Sequence, residues 1–266
     1  MARRGLAARM VRVAIAVMVM VAVLIPLIAY GRRIPVPSIG LDRGVTLGLI
    51  TQLLLLAVVV VLVVSLAGLR NIGLRRAGAT TSILLSLPLL CLSFADATPS
   101  HLPSIATAVA VLIWGVMIGL TEEMFGRGLL VTLFGGRNHA ALAVIGSSIG
   151  FAYLHLPTYV QHYGWQYALL RSTSSAAFSA CGAIIRLRSG SIVGLVGFHA
   201  IDDSRAILVG FDSSAPIAPP TDNGLSYLHP LVFGILLSTT YWLCTRRAIR
   251  NEKGPVARAV LTSLAA

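Results

Sequence analysis

From residue 45 to residue 69 the chain carries no charged side chain, and a stretch of that length and character has few places to go other than across a lipid bilayer. A helix needs about 20 predominantly apolar residues to cross the hydrocarbon core. On that ruler the sequence holds eight spans, at approximately 11–30, 45–69, 79–95, 104–134, 139–157, 165–187, 190–210 and 228–247. The third is interrupted by Pro88, and the fourth is too long for one straight crossing. Its second half, after Glu123, is expected to be a tilted or bent continuation near the membrane interface. A mean hydropathy of +0.86, with 56% hydrophobic and 11% charged residues, lies outside the range of soluble domains. The expected fold class is therefore all-α: a polytopic membrane protein, a bundle of about eight transmembrane helices enclosing a polar cavity.

The formal net charge of +12 does not point to nucleic acid, because the basic residues arrive in short clusters between apolar runs and form no patch. Their distribution is topological. The N-terminal segment, the turn with Arg70, Arg75 and Arg76, the Arg127–Arg137 segment, the Arg186/Arg188 turn and the tail from Arg246 to Arg258 hold 16 of the 21 basic residues and alternate onto one side. Short cytoplasmic loops carry the lysine and arginine excess, so both termini are expected in the cytoplasm of an integral, multi-pass membrane protein. Arg32, Arg33 and Arg43 dissent from this arrangement. The four arginines ahead of the first apolar run imitate a signal peptide, but no small-x-small cleavage site follows, so the run reads as a retained membrane helix. Cys91, Cys181 and Cys244 lie far apart and read as packing residues. The chain divides into N-terminal helices over 1–103, a core over 104–210, and an external loop, last helix and basic tail over 211–266, all in one membrane domain.

Ionisable side chains at membrane depth are costly and mark functional sites. Three clusters stand out. In T-E-E-M-F-G-R, residues 121–127, two of the chain's three glutamates sit side by side. Residues four apart on a helix share a face, so Glu123 and Arg127 are placed to pair, and Glu122 is aimed elsewhere. A fixed, paired Glu123 and a free Glu122 make Glu122 the better general base. A structural ion-pair network at the cytoplasmic boundary is the plain alternative. In F-A-Y-L-H, Phe151 and His155 are again four apart, ahead of Pro157. In H-A-I-D-D, His199 and Asp203 share a face, so Asp203 could hold the imidazole tautomer of His199, or both could point at one ligand. The same regions carry Gly115/Gly119, Gly146/Gly150 and Gly190/Gly194, at the spacing that permits close helix approach.

The series E-E-x-x-x-R at Glu122, Glu123 and Arg127, F-x-x-x-H at Phe151 and His155, and H-x-x-x-D at His199 and Asp203 resembles the motifs of the CAAX protease and bacteriocin-processing (CPBP) intramembrane protease family. The likeness covers residues 104–210. It implies a mostly eight-helix bundle that hydrolyses a peptide bond in or near the membrane, acting on a membrane-associated peptide or a prenylated protein tail within the lipid bilayer. Position by position, it makes Glu122 the base that activates water, His155 its assistant, and His199 with Asp203 the stabilisers of the oxyanion, with Glu123, Arg127 and Phe151 in support. The family often has asparagine where this chain has Asp203. An ionised aspartate cannot donate a hydrogen bond, so Asp203 either orients His199, is protonated or binds a cation.

No cofactor is required by this reading. Zinc held by Glu122, His155 and His199 is the alternative, although the sequence lacks the H-E-x-x-H helix that would carry it. From a different class comes a non-catalytic carrier or scaffold, but the paired broken helices of a transporter are not in the sequence. His101, His139, His162 and His229 lie near expected helix ends or loops, where interfacial solvation explains them. Arg171 and Arg205 fall inside expected helices, and Arg205, two residues beyond Asp203, is a candidate anchor for a substrate carboxylate.

Overall fold

The computed structural model describes residues 2–30, 41–75, 77–93, 103–212 and 225–251. Within them the chain is helical and forms no strand. The helices are α1 (Ala2–Tyr30), α2 (Arg43–Leu66), α3 (Ala79–Ser93), α4 (Ile105–Glu123), α5 (Val131–Leu133), α6 (Ala140–Tyr163), α7 (Trp165–Ser189), α8 (Val193–Asp212) and α9 (Leu225–Asn251). Among the described residues five stretches are long and apolar enough to cross a membrane: Ala7–Leu27, Arg43–Leu66, Ile105–Leu133, Gly136–Gln161 and Trp165–Ser189. Helix α3 is a shorter apolar helix, and α8 carries Asp202, Asp203, Arg205 and Asp212 within its length. The expected Arg32/Arg33 loop and most of the basic tail lie outside the described residues.

Two polar caps start helices where apolar sequence alone would not define a boundary. Asp42 accepts hydrogen bonds from the backbone N–H groups of Gly44 (2.7 Å) and Val45 (3.3 Å). Ser104 accepts from Thr107 N–H at 3.3 Å. Each side chain satisfies backbone donors that the first helical turn leaves without partners.

Lipid tails are as apolar as leucine, so helices in a bilayer associate through close packing more than through water exclusion. The glycines at 115 and 119 provide that packing. A Cβ on Gly115 would fall 2.1 Å from Ser204 Oγ and 2.6 Å from Ala200 O, and one on Gly119 would fall 2.8 Å from Val196 O. Helix α4 therefore lies directly against α8. Gly194 does the same for α8 against α3, where a Cβ would meet the Ser82 carbonyl carbon at 2.4 Å. Gly146 and Gly150 instead receive the Phe134 ring and Leu130 Cδ1. The expected partner of Gly194 is different in kind: Gly190 is not on the same helix but caps the C-terminus of α7 at φ 76°.

After Glu123 the chain takes a form that the sequence did not specify. The chain does continue, but as a π-helix over Met124–Leu130 joined to the short α5, and all seven π residues are buried. They do not lie at the surface of the bundle. The N–H of Val131 reaches back five residues to Gly126 O. Gly126 and Gly128 admit the neighbours that cover this turn: a Cβ would stand 3.0 Å from the Phe151 ring at the first and 2.9 Å from Ile72 Cβ at the second. Phe125, Leu129 and Leu130 then fill the main apolar core with Val59, Val63, Ile72, Ala143 and Ile184.

Candidate active site

Glu122 lies about 26 Å along the apolar stretch that starts at Ile105 and about 16 Å before its end at Leu133, taking about 1.5 Å per residue. His155 can meet it because α6 does not stop at Pro157, where the sequence reading ended the span, but runs on to Tyr163. Pro157 removes one backbone donor from this helix without ending it. On the third side, α8 is held against α4 at Gly119, where His199 Cβ would stand 3.2 Å from an added Cβ. The three motifs, 77 residues apart from Glu122 to His199, thus come together between α4, α6 and α8.

The Glu122 carboxylate faces both imidazoles. Its Oε1 lies 3.6 Å from His155 Nε2 and its Oε2 lies 3.6 Å from His199 Nε2. These separations are too long for direct hydrogen bonds. The side chain of Glu122 remains 26% exposed, against 1% for Glu123, so the two adjacent glutamates occupy different environments.

The far nitrogens of both rings are tied. His155 Nδ1 is 3.0 Å from Phe151 O, and His199 Nδ1 is 2.6 Å from Glu123 Oε1. A carbonyl and a carboxylate both accept, so each Nδ1 carries the proton and donates it. The same Glu123 Oε1 is 2.8 Å from Arg127 Nη1, which places the expected Glu123–Arg127 pair in the structure. The pair does more than the spacing foretold, since its carboxylate also positions His199. The tautomer-holding role open to Asp203 falls to Glu123. Asp203 Oδ2 is buried and has no hydrogen-bond partner among the described residues.

Arg127 is boxed in. Its guanidinium lies 4.3 Å above the centroid of the Phe151 ring, and Gly182 of α7 leaves it room, since a Cβ there would fall 2.7 Å from Nε. Phe151 in turn packs against His155 with ring centroids 4.6 Å apart. A cation over an aromatic face is worth about 0.5–2 kcal/mol, more when desolvated. Phe151 therefore links the arginine to the histidine.

Three neighbours escaped the sequence reading. The Tyr159 ring stands 5.8 Å from that of His155, and Arg171 lies over it at 5.7 Å. Phe151, His155 and Tyr159 repeat every four residues, a periodicity that the sequence displays. Phe198 stacks on His199 at 5.7 Å, whereas nothing in the sequence marks Gly182, whose role depends on a helix from elsewhere in the chain. Arg205 lies 3.5 Å from Asp202. His139 occupies the N-cap position of α6 without a side-chain cap hydrogen bond, His101 lies outside the described residues, and the side chains of His162 and His229 are likewise not described.

The donor types at the centre, two imidazole nitrogens and a carboxylate, would suit zinc. Among the described residues no group of three or more histidine, cysteine, aspartate and glutamate side chains stands out as a metal site.

Residues 104–204 match the family model described as type II CAAX prenyl endopeptidase Rce1-like. This stretch is similar to Rce1-like domains. It opens at the Ser104 cap of α4 and contains Glu122, Glu123, Arg127, Phe151, His155, His199 and Asp203. No curated protein and no solved structure matches the chain. The long apolar helices support an integral membrane protein, and its core is similar to CAAX-type endopeptidases.

Proposed function

We propose that the chain hydrolyses a peptide bond of a membrane-associated or prenyl-modified peptide, using a water activated by Glu122. The observation that carries this reading is the placement of one partly exposed carboxylate between two Nε2 atoms, 3.6 Å from each, while both Nδ1 atoms are occupied elsewhere. A general base must be within reach of its proton directly or through one water. Glu122 takes a proton from water, and the hydroxide oxygen bonds to the scissile carbonyl carbon as the carbonyl π electrons move to oxygen. His155, beside Glu122, holds the water or passes its proton. His199 in its protonated form and Asp203 in its neutral form supply donors to the oxyanion. Collapse breaks the C–N bond, and the leaving amine takes the proton that Glu122 received.

A cleavage assay on a prenylated peptide in proteoliposomes tests the reading. Glu122→Gln should reduce turnover by about 10²–10⁴-fold, the usual contribution of a general base, and His155→Ala should also impair it. Undiminished cleavage by Glu122→Gln removes Glu122 as the base, whereas absence of cleavage by the wild type leaves a non-catalytic scaffold or carrier as the reading of the fold.

A further inference from the structure

At the Leu133 end of the bundle, three connections meet: the α2–α3 turn, the α5–α6 turn and the α7–α8 turn. Between them lies a cavity of about 340 Å³ whose lining includes Asn71, Arg75, Thr132, Arg137 and Arg186. No acidic residue lines it among the described residues. The cavity belongs to neither the Glu122 site nor its reaction.

Backbone carbonyls hold the arginines in place. Arg186 Nη2 donates to Asn71 O at 2.8 Å, Arg75 Nε donates to Arg70 O at 2.9 Å, and Arg137 Nε donates to Leu187 O at 2.7 Å. Gly73, at φ 90°, makes the turn that admits Arg186, since a Cβ there would fall 2.6 Å from its Nε. That buried Nε has no hydrogen-bond partner among the described residues. Carbonyl dipoles fix the guanidinium groups but do not cancel their full charges, and like charges gathered around one cavity at a membrane surface repel. An anion between them removes the repulsion, and the guanidinium fork matches the oxygens of a phosphate.

The surroundings favour a phosphate that arrives with acyl chains. Leu69 and Leu74, on the turn that carries Arg70 and Arg75, are 50% and 43% exposed and offer apolar surface beside the cavity. A basic pocket between transmembrane helices is a physical fit for an anionic headgroup, and the volume lies in the range of small-ligand sites. We propose that this cavity binds the phosphodiester headgroup of an anionic phospholipid, with Arg75 and Arg186 as its principal contacts.

The test is native mass spectrometry of the full chain in mild detergent, titrated with phosphatidylglycerol or with phosphatidylcholine of the same acyl chains. Wild type should retain phosphatidylglycerol preferentially. Arg75→Gln, an exposed position, should weaken that retention about fivefold, the worth of one basic group near an anionic surface. Arg75→Gln combined with Arg186→Gln should abolish the preference, while Arg246→Gln, on α9 outside the cavity, should leave it intact. Equal retention of the two lipids by wild type, or equal weakening by Arg246→Gln, overturns the proposal. So does full displacement of the lipid by millimolar inorganic phosphate, which would mark a free-oxyanion site. A purely structural role for the arginines would show as lowered thermal stability of the double variant with lipid preference retained, and that result also overturns it.

Discussion

Glu123 Oε1 lies 2.6 Å from His199 Nδ1 and 2.8 Å from Arg127 Nη1, so a single carboxylate oxygen joins α8 to the π-turn that follows α4. The residue next to the proposed base is thereby the one that fixes the second histidine. Adjacent positions on a helix point about 100° apart, which lets Glu122 face the cavity while Glu123 faces the packed interior.

Removing one member of the Glu123–Arg127 pair strands a buried charge. Arg127→Met should cost about 3–5 kcal/mol, the usual range for breaking a buried pair from one side. Adding Glu123→Gln to Arg127→Met should restore part of that stability, because the second charge leaves with the first. Thermal unfolding in detergent measures both; losses that simply add would show that the two groups are not coupled.

Glu123 acts through His199 and should behave as a positioning residue. Glu123→Ala removes the acceptor for Nδ1–H and should lower kcat by about 10–100-fold, the range seen when an outer-shell partner of a histidine is lost. Glu123→Gln keeps an amide oxygen in reach and should retain more activity than Glu123→Ala, with KM little changed in both. Equal kcat values in the two variants would show that the acceptor at this position is immaterial.

Gly115→Ala places a Cβ 2.1 Å from Ser204 Oγ and 2.6 Å from a backbone carbonyl that cannot swing away. The helices must separate, at a cost of about 1–3 kcal/mol for overpacking, and His199 shifts with α8. Both thermal stability and cleavage should fall. Unchanged values would mean that α4 and α8 accommodate the methyl group without moving the site.

Asp203 offers a buried oxygen with no hydrogen-bond partner among the described residues, in a position where the resembled family often carries asparagine. Asp203→Asn supplies a permanent donor and should retain cleavage, whereas Asp203→Ala should lose about 10²–10³-fold, as when an oxyanion donor is removed. Steady-state kinetics of the two variants decide it. Inactive Asp203→Asn with active Asp203→Ala would reverse the assignment.

On the metal-free mechanism proposed above, cleavage should be insensitive to a membrane-permeant metal chelator at neutral pH. Loss of activity on chelation, restored by added zinc, would move Glu122, His155 and His199 into the role of ligands.

The apolar runs by themselves determined that the chain is a helical membrane protein, because lengths near 20 apolar residues leave few other folds. The four-residue spacing likewise made Glu123 and Arg127 a pair, since i and i+4 meet on any helix. The sequence also placed close-packing glycines at 115, 119 and 194, though not the use of Gly190 as a cap. Local periodicity could not show that Met124–Leu130 is a buried π-turn, because that turn depends on Ile72 and Phe151 packing against its glycines. Nor could it assign His199 to Glu123 over Asp203: both carboxylates were within its vocabulary, one by spacing along α8 and one by proximity across helices. Only the close approach of α4 to α8 decided between them, and that approach is a property of the assembled bundle.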